Sequence, residues 1–331
     1  MKILLTLLCC LSLAAYGQQP AFPGAQGFGA LASGGRGGEV YHVSNLNDSG
    51  AGSFREAVSM PGRTVVFDVG GVVRLQDRVN VSSNITIAGQ TAPGKGITFY
   101  GASLAFNKVS NVIVRYIRMH GSINMKRGSC VLVADSSDKL IFDHVSVAWG
   151  RWDDLHIKGS TNVTLQYCII GESLDPQRFG ALLERPEYLS IHHCLWIDNQ
   201  SRNPKAKARI EYINNVVYNW GSSGFVGGHS SAHHYQDITG NYFIAGPSSS
   251  DHFLSLFTET DHVFHSGNYV DMDRNGKLDG RLVADADFVH DKLKATLMAQ
   301  KQHQPAIPVT AEPAAQAFRH VLDRAGCSLV R

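Results

Sequence analysis

Little in this sequence of 331 residues is charged: Asp, Glu, Lys and Arg make up 18% and nearly cancel, to a formal net charge of +2. A balance so close to neutral excludes a general electrostatic claim on nucleic acid. At 44% hydrophobic, the chain also lacks the composition of a disordered protein and can fill a large core. Cysteine is scarce, six in all, and no Cys-x-x-Cys pair occurs, which argues against structural zinc. Beyond the first residues, no apolar run approaches the ~20 residues of a membrane span. Glycine is what abounds, 33 residues with 11 prolines and no collagen-like period. Many tight turns are expected, in one large domain or two modest ones.

The opening MKILLTLLCCLSLAAYGQQ reads as a secretory signal peptide over residues 1–17. Lys2 supplies the positive end, Ile3 to Ala15 the apolar stretch, and Ala15-Tyr16-Gly17 the small-residue cleavage site. The mature protein is expected to be exported, soluble and monomeric. Cys9 and Cys10 leave with the signal, so Cys130, Cys168, Cys194 and Cys327 remain.

Short strand-like segments recur along the rest: NITIAGQ, NVIVRYIRM, KLIFDHVSV, NVTLQYCII, YLSIHHCLW, RIEYINNVV, ITGNYFI and FHSGNYV. Their alignment puts Gln90, Ile117, Val145, Cys168, Cys194, Asn215, Asn241 and Asn268 at one position, with a mean interval of roughly 25 residues. Each segment alternates apolar and polar residues, as a half-buried strand does. This predicts an all-β fold, a right-handed single-stranded parallel β-helix over residues 18–300, in which stacked rungs bury a shared apolar column. A β-sandwich repeats its turns more often and has no reason to keep this register. Cys168 and Cys194 should stack as buried thiols, and Asn215, Asn241 and Asn268 as a turn-stabilising ladder. The Gly-rich start is expected to cap the solenoid. Residues 301–331 should form a linker and a packing helix, capped by Thr310, carrying Phe318, Val321, Leu322 and Ala325 on one face and stopped at Gly326.

Two stretches carry charge in a pattern. From Pro204 onward, Pro204, Ala206 and Ala208 share one strand face while Lys205, Lys207 and Arg209 share the other, with Arg202 at the entry. In Asp153-Asp154-Leu155-His156-Ile157-Lys158, Leu155 and Ile157 should face the core and Asp154, His156 and Lys158 the solvent. Arg178 falls on the rung between. Equivalent positions on neighbouring rungs lie about 4.8 Å apart, so these residues should form one mixed stripe. Such a stripe suits an anionic polymer, with an acidic pair free to hold Ca²⁺ through oxygen ligands. Asp271-Met272-Asp273-Arg274-Asn275-Gly276 with Asp279 mimics the start of an EF-hand loop, but Leu282 stands where the closing Glu belongs; a simple turn is the expectation. Gly227-Gly228-His229 and His233-His234 are expected to be structural or solvent-facing.

The stretch FPGAQGFGALASGGRGGEVYHVSNLNDSGAGSFREAV, then RTVVFDVGGVVRL, NITIAGQTAPGKGI, Phe142-Asp143-His144 and SRNPKAK together resemble secreted pectate lyases of the parallel β-helix superfamily. The resemblance runs from about Phe22 to about Tyr269. It implies cleavage of polygalacturonate by β-elimination, usually with calcium. The family's Arg-x-Pro-x-x-Arg motif matches Arg202 to Lys207, which gives Arg202 the position of the base and Lys207 that of the second Arg. By the same resemblance Lys158 and Arg178 bind substrate, and Lys205 lies in the same basic run. Lys at 207 keeps the charge but loses the bidentate fork. The family's acidic ligands fall here on Gly128, Cys130, Trp152 and His156, which leaves Asp153 and Asp154, with Asp175 nearby, as the metal ligands.

The C5 proton of a uronate is a poor acid beside an ionised carboxylate. Neutralising that carboxylate with Ca²⁺, Lys158, Arg178 or Lys207 stabilises the charge that forms. An Arg base needs neighbouring cations to push it toward the neutral form, and an alkaline optimum follows. Two rivals are a polygalacturonase-type hydrolase of the same fold, which needs a carboxylate acid and base but finds no Asn-Thr-Asp tripeptide here, and a non-catalytic binder of acidic glycans.

Overall fold

The computed structural model describes residues 19–327; the expected signal peptide lies outside them. The chain winds as a β-solenoid of about nine turns. Three sheets run its length, of 11, 8 and 10 strands, and neighbouring strands are parallel except where Arg281–Leu282 turns back on Tyr269–Asp271. A single core cluster fills the interior from Val43 to Ala295. No helix among the described residues is long and apolar enough to cross a membrane.

The rung register follows the repeat. Arg118, Ser146, Ile169, Leu195, Val216, Tyr242 and Tyr269 pair one rung to the next, so the residues just before them stack from Ile117 to Asn268. Gln90 is the exception. A 3-10 turn at Gly89–Thr91 and the residues after it intervene, and Ile97 pairs with Ile117 instead. Asn215, Asn241 and Asn268 form the ladder: Asn215 N–H donates to Asn241 Oδ1 at 2.8 Å, and Asn241 N–H to Asn268 Oδ1 at 3.0 Å. Cys168 and Cys194 are buried free thiols, with Cys168 N–H donating to Cys194 Sγ at 3.3 Å.

Ahead of each ladder residue the backbone turns through the left-handed region. Tyr116, His144, Tyr167, His193 and Asn214 have φ between 49° and 55°. An L-residue there costs roughly 1–2 kcal/mol. Here the repeated turn also lines up a stack, Tyr116 on His144 at 4.6 Å, His144 on Tyr167 at 5.1 Å and Tyr167 on His193 at 4.9 Å, whose ring contacts offset part of that strain.

Both ends differ from expectation. The Gly-rich start does not cap the solenoid; it lies along the outside of the 11-stranded sheet, where Gly29 N–H donates to Thr164 Oγ1. A Cβ on Gly29 would stand 2.0 Å from Leu140 O, so only glycine allows the approach. The first turn is closed by the short helix Phe54–Ala57, which buries Phe54 and Ala57. The C-terminal helix is Ala314–Arg324, with Pro313 and not Thr310 at its start. Val321, Ala325 and Phe318 pack on Val216, Ile169, Leu195 and Ile244, while Leu322 is exposed.

Candidate active site

The 8-stranded sheet carries the charged stripe. On the Asp153–Lys158 strand, Leu155 and Ile157 enter the core as the alternation requires. One rung on, Phe179–Glu184 pairs with it, and then Lys205–Lys207. The register stacks Lys158, Glu184 and Lys207 in one column, and His156, Leu182 and Lys205 in the next. Lys158 Nζ sits 3.8 Å from Glu184 Oε2 and His156 Nε2 3.4 Å from the same oxygen. Arg209 is not part of this face. The strand ends at Lys207, the chain turns at Ala208, and Arg209 begins a strand of the 11-stranded sheet with its guanidinium over Tyr235.

Alternation fails at the start of the first strand, where both aspartates are buried. Asp154, expected in solvent, is fully buried. The turn at Trp149–Trp152 folds over it, Gly150 N–H donates to its Oδ1 at 2.8 Å, and its Oδ2 is sealed in without a partner. Burial holds its carboxyl well above the usual range. Asp153 instead lines a cleft of about 270 Å³ with Trp152, His156, Gly128, Arg78 and Leu182.

Arg202 reaches this cleft from two rungs away. It heads the Lys205–Lys207 strand in a left-handed conformation, φ 60°, and its guanidinium lies over the Phe179 ring at 4.1 Å. Nη1 donates to Asp153 Oδ1 at 2.9 Å. Gly180 lets the two rungs approach: a Cβ there would stand 2.6 Å from the backbone carbonyl of Arg202. Burial pushes the Asp153 carboxyl up to about 7, against the pull of Arg202. Burial and the charges of Lys207 and Arg202 push Lys205 down, and burial lowers His156.

The structure therefore brings Arg202 to Asp153, and groups Lys158 with Lys207 around Glu184. Arg178 is exposed on the loop above Trp152, with its carbonyl accepting from Gln200 N–H. Glu184 was missed from the sequence, although one repeat interval from Lys158 reaches it. Arg127, whose guanidinium lies 3.2 Å from the Trp152 ring centroid, was missed as well; no local pattern marks it.

Ca²⁺ takes six to eight oxygens in an open, hydrated cradle. Asp153 and Asp154 do not provide one: the first is tied to Arg202, and the second is sealed beneath the Gly150 turn. Asp175 joins neither in a group of three close ligands. These residues do not fit a preformed calcium site.

No family model matches the chain. It is 45% identical over 329 residues to "Probable pectate lyase C" of Aspergillus fumigatus, covering 97% of this chain and 77% of that one. Identity to the protein of the same name from Aspergillus flavus is 43% over 334 residues, covering 100% and 79%. Among solved structures, a pectate lyase from Bacillus sp. N165, in complex with trigalacturonate, shares the fold with a TM-score of 0.61 at 15% identity, over 92% of this chain and 98% of the other.

Proposed function

The chain belongs to the pectate lyases, and from that premise we propose that Arg202, set by Asp153, takes the C5 proton of a bound galacturonate. The enzyme is a polysaccharide lyase acting on pectate. As the C5–H bond breaks, the C4=C5 double bond forms, the C4–O bond breaks, and the leaving oxygen acquires a proton. The observation that carries the assignment is the 2.9 Å pair of Arg202 and Asp153 at the cleft wall.

Asp153 fixes where the guanidinium points, and Phe179 supports its face. A guanidinium bound to a carboxylate stays protonated, so a base role requires that carboxylate to be neutral or displaced. Asp153, titrating at about 7, is ionised at the alkaline pH an Arg base requires, so the contact has to be displaced when substrate binds. Lys158, Lys205 and Lys207 bind the polymer's carboxylates and neutralise the charge that develops beside C5. Arg178, exposed on the loop above Trp152, binds a more distant uronate. The anionic chain is bound by a monomer working outside the cell, in keeping with the signal-like residues 1–17.

Pectate lyases are generally calcium-dependent. In this groove the chain's own cations hold the neutralising role, because the two candidate carboxylates are spoken for. Incubation with polygalacturonate tests the whole reading: ultraviolet absorbance from a new C4–C5 double bond is expected, and its loss in Arg202→Ala. New reducing ends without that absorbance would mean hydrolysis; neither signal would mean binding alone.

A further inference from the structure

The last turn of the solenoid carries a second charged cluster that the elimination does not use. Asp271 ends the strand Tyr269–Asp271, is only 4% exposed, and has its Oδ2 buried without a hydrogen-bond partner. The chain then loops outward and returns as Arg281–Leu282. The loop brings the exposed Asp273 and Asp279 back to Asp271, so that one carboxylate oxygen from each lies within 4.8 Å of the others. Among the described residues no Lys or Arg pairs with any of the three. Arg274 turns away to Ser249 O at 2.6 Å, and Arg281 is held by Asp287. The neutral amide of Asn275 fills the gap, its Nδ2 2.7 Å from Asp273 Oδ2 and 3.2 Å from Asp279 Oδ2.

Three carboxylates around an uncharged amide, one of them sealed from water, are a mutually repelling group. We propose that Asp271, Asp273 and Asp279 form a site for a hard divalent cation of the calcium class that clamps the C-terminal end of the solenoid. Such ions bind through carboxylate and carbonyl oxygens. Asp271, Asp273, Asn275 and Asp279 stand at positions 1, 3, 5 and 9 of a calcium loop, with Lys277 at the seventh, which contributes its backbone carbonyl. Leu282, at the twelfth, is fixed opposite Tyr269 in the antiparallel pair, so no bidentate carboxylate closes the site. Affinity therefore belongs at the weak end of such sites, on the order of 10⁻⁴–10⁻³ M.

The role is structural. Ile197, Tyr218, Ile244 and Asp271 stack in register, which puts the cluster three rungs, roughly 14 Å, along the axis from the rung of Arg202. Its loop also lines an apolar cleft of about 780 Å³ with Phe318 and Leu322 of the C-terminal helix. A bound cation would hold that loop against the last rung.

The test uses the whole mature chain. Tyr242 Oη accepts a hydrogen bond from Gly280 N–H at 3.0 Å, so a phenol sits beside the cluster to sensitise terbium. Terbium should luminesce on tyrosine excitation and be displaced by calcium, and millimolar calcium should raise the melting temperature by about 2–6 °C. The double variant Asp273→Asn/Asp279→Asn alters only exposed carboxylates. It should fold, cleave pectate within about twofold of wild type at room temperature, and lose both cation responses. Asp153→Asn should keep both. A wild type blind to ~10 mM calcium would overturn the proposal, as would a double variant that responds like wild type or a response lost in Asp153→Asn.

Discussion

Arg202 and Asp153 meet at 2.9 Å although they are 49 residues and two rungs apart. The guanidinium lies along the Phe179 ring, so a side chain at the head of one strand finds its partner at the head of another. This pair joins the proposed proton acceptor to the carboxylate that lines the cleft, which burial pushes up.

Arg202→Ala should lower turnover by several orders of magnitude with the fold intact, as read by double-bond absorbance and circular dichroism. A variant above a tenth of the wild-type rate would remove Arg202 from the mechanism.

Asp153 links the same pair to pH. Its carboxyl titrates at about 7 when folded and near 4 when unfolded, so the folded state binds the extra proton between those values. Its contribution to stability is full below pH ~4, falls as pH rises to ~7, and is lost above. Asp153→Asn should flatten the stability curve in that window, where wild type loses a few kcal/mol, on the order of 1.4 per pKa unit. Denaturant titrations at pH 5, 6, 7 and 8 measure it; an unchanged slope would refute the assignment.

Lys207→Ala should cost about 2–4 kcal/mol in kcat/KM, as for loss of one electrostatic donor. Lys207→Arg should retain activity. Glu184→Gln should lower KM several-fold, since it frees Lys158 from a competing carboxylate. A raised KM would show that Glu184 itself contacts substrate.

Chelator should leave the room-temperature rate of wild type nearly unchanged, because Lys158, Lys205 and Lys207 are proposed to neutralise the uronate. A rate abolished by chelator and restored by calcium would return the metal to the groove.

Asn241→Ala strips the ladder of its middle member. Asn215 N–H and Nδ2 lose their acceptor, and Tyr212 O loses its donor. Buried groups left unpaired cost about 1–3 kcal/mol each, so chemical denaturation should report a loss of several kcal/mol with catalysis intact in the surviving fold.

Much of this molecule was determined by the sequence alone. The interval of roughly 25 residues and the strand alternation are local properties, and they suffice to stack Cys168 on Cys194 and Asn241 on Asn268 and to bury Leu155, Ile157 and Ala206. The ordered motifs around Phe142 and Arg202 carried the family resemblance. Only the tertiary structure decided the rest. Gln90 yields its rung to Ile97 because a loop intervenes, and loop length is invisible to a register count. Asp154 goes in while Asp153 faces the cleft because Gly150 N–H claims a carboxylate at the strand's first residues, where alternation does not yet hold. The meeting of Arg202 with Asp153, and of Asp271 with Asp279, depends on how turns aim side chains between rungs, and no periodicity along the chain encodes that direction.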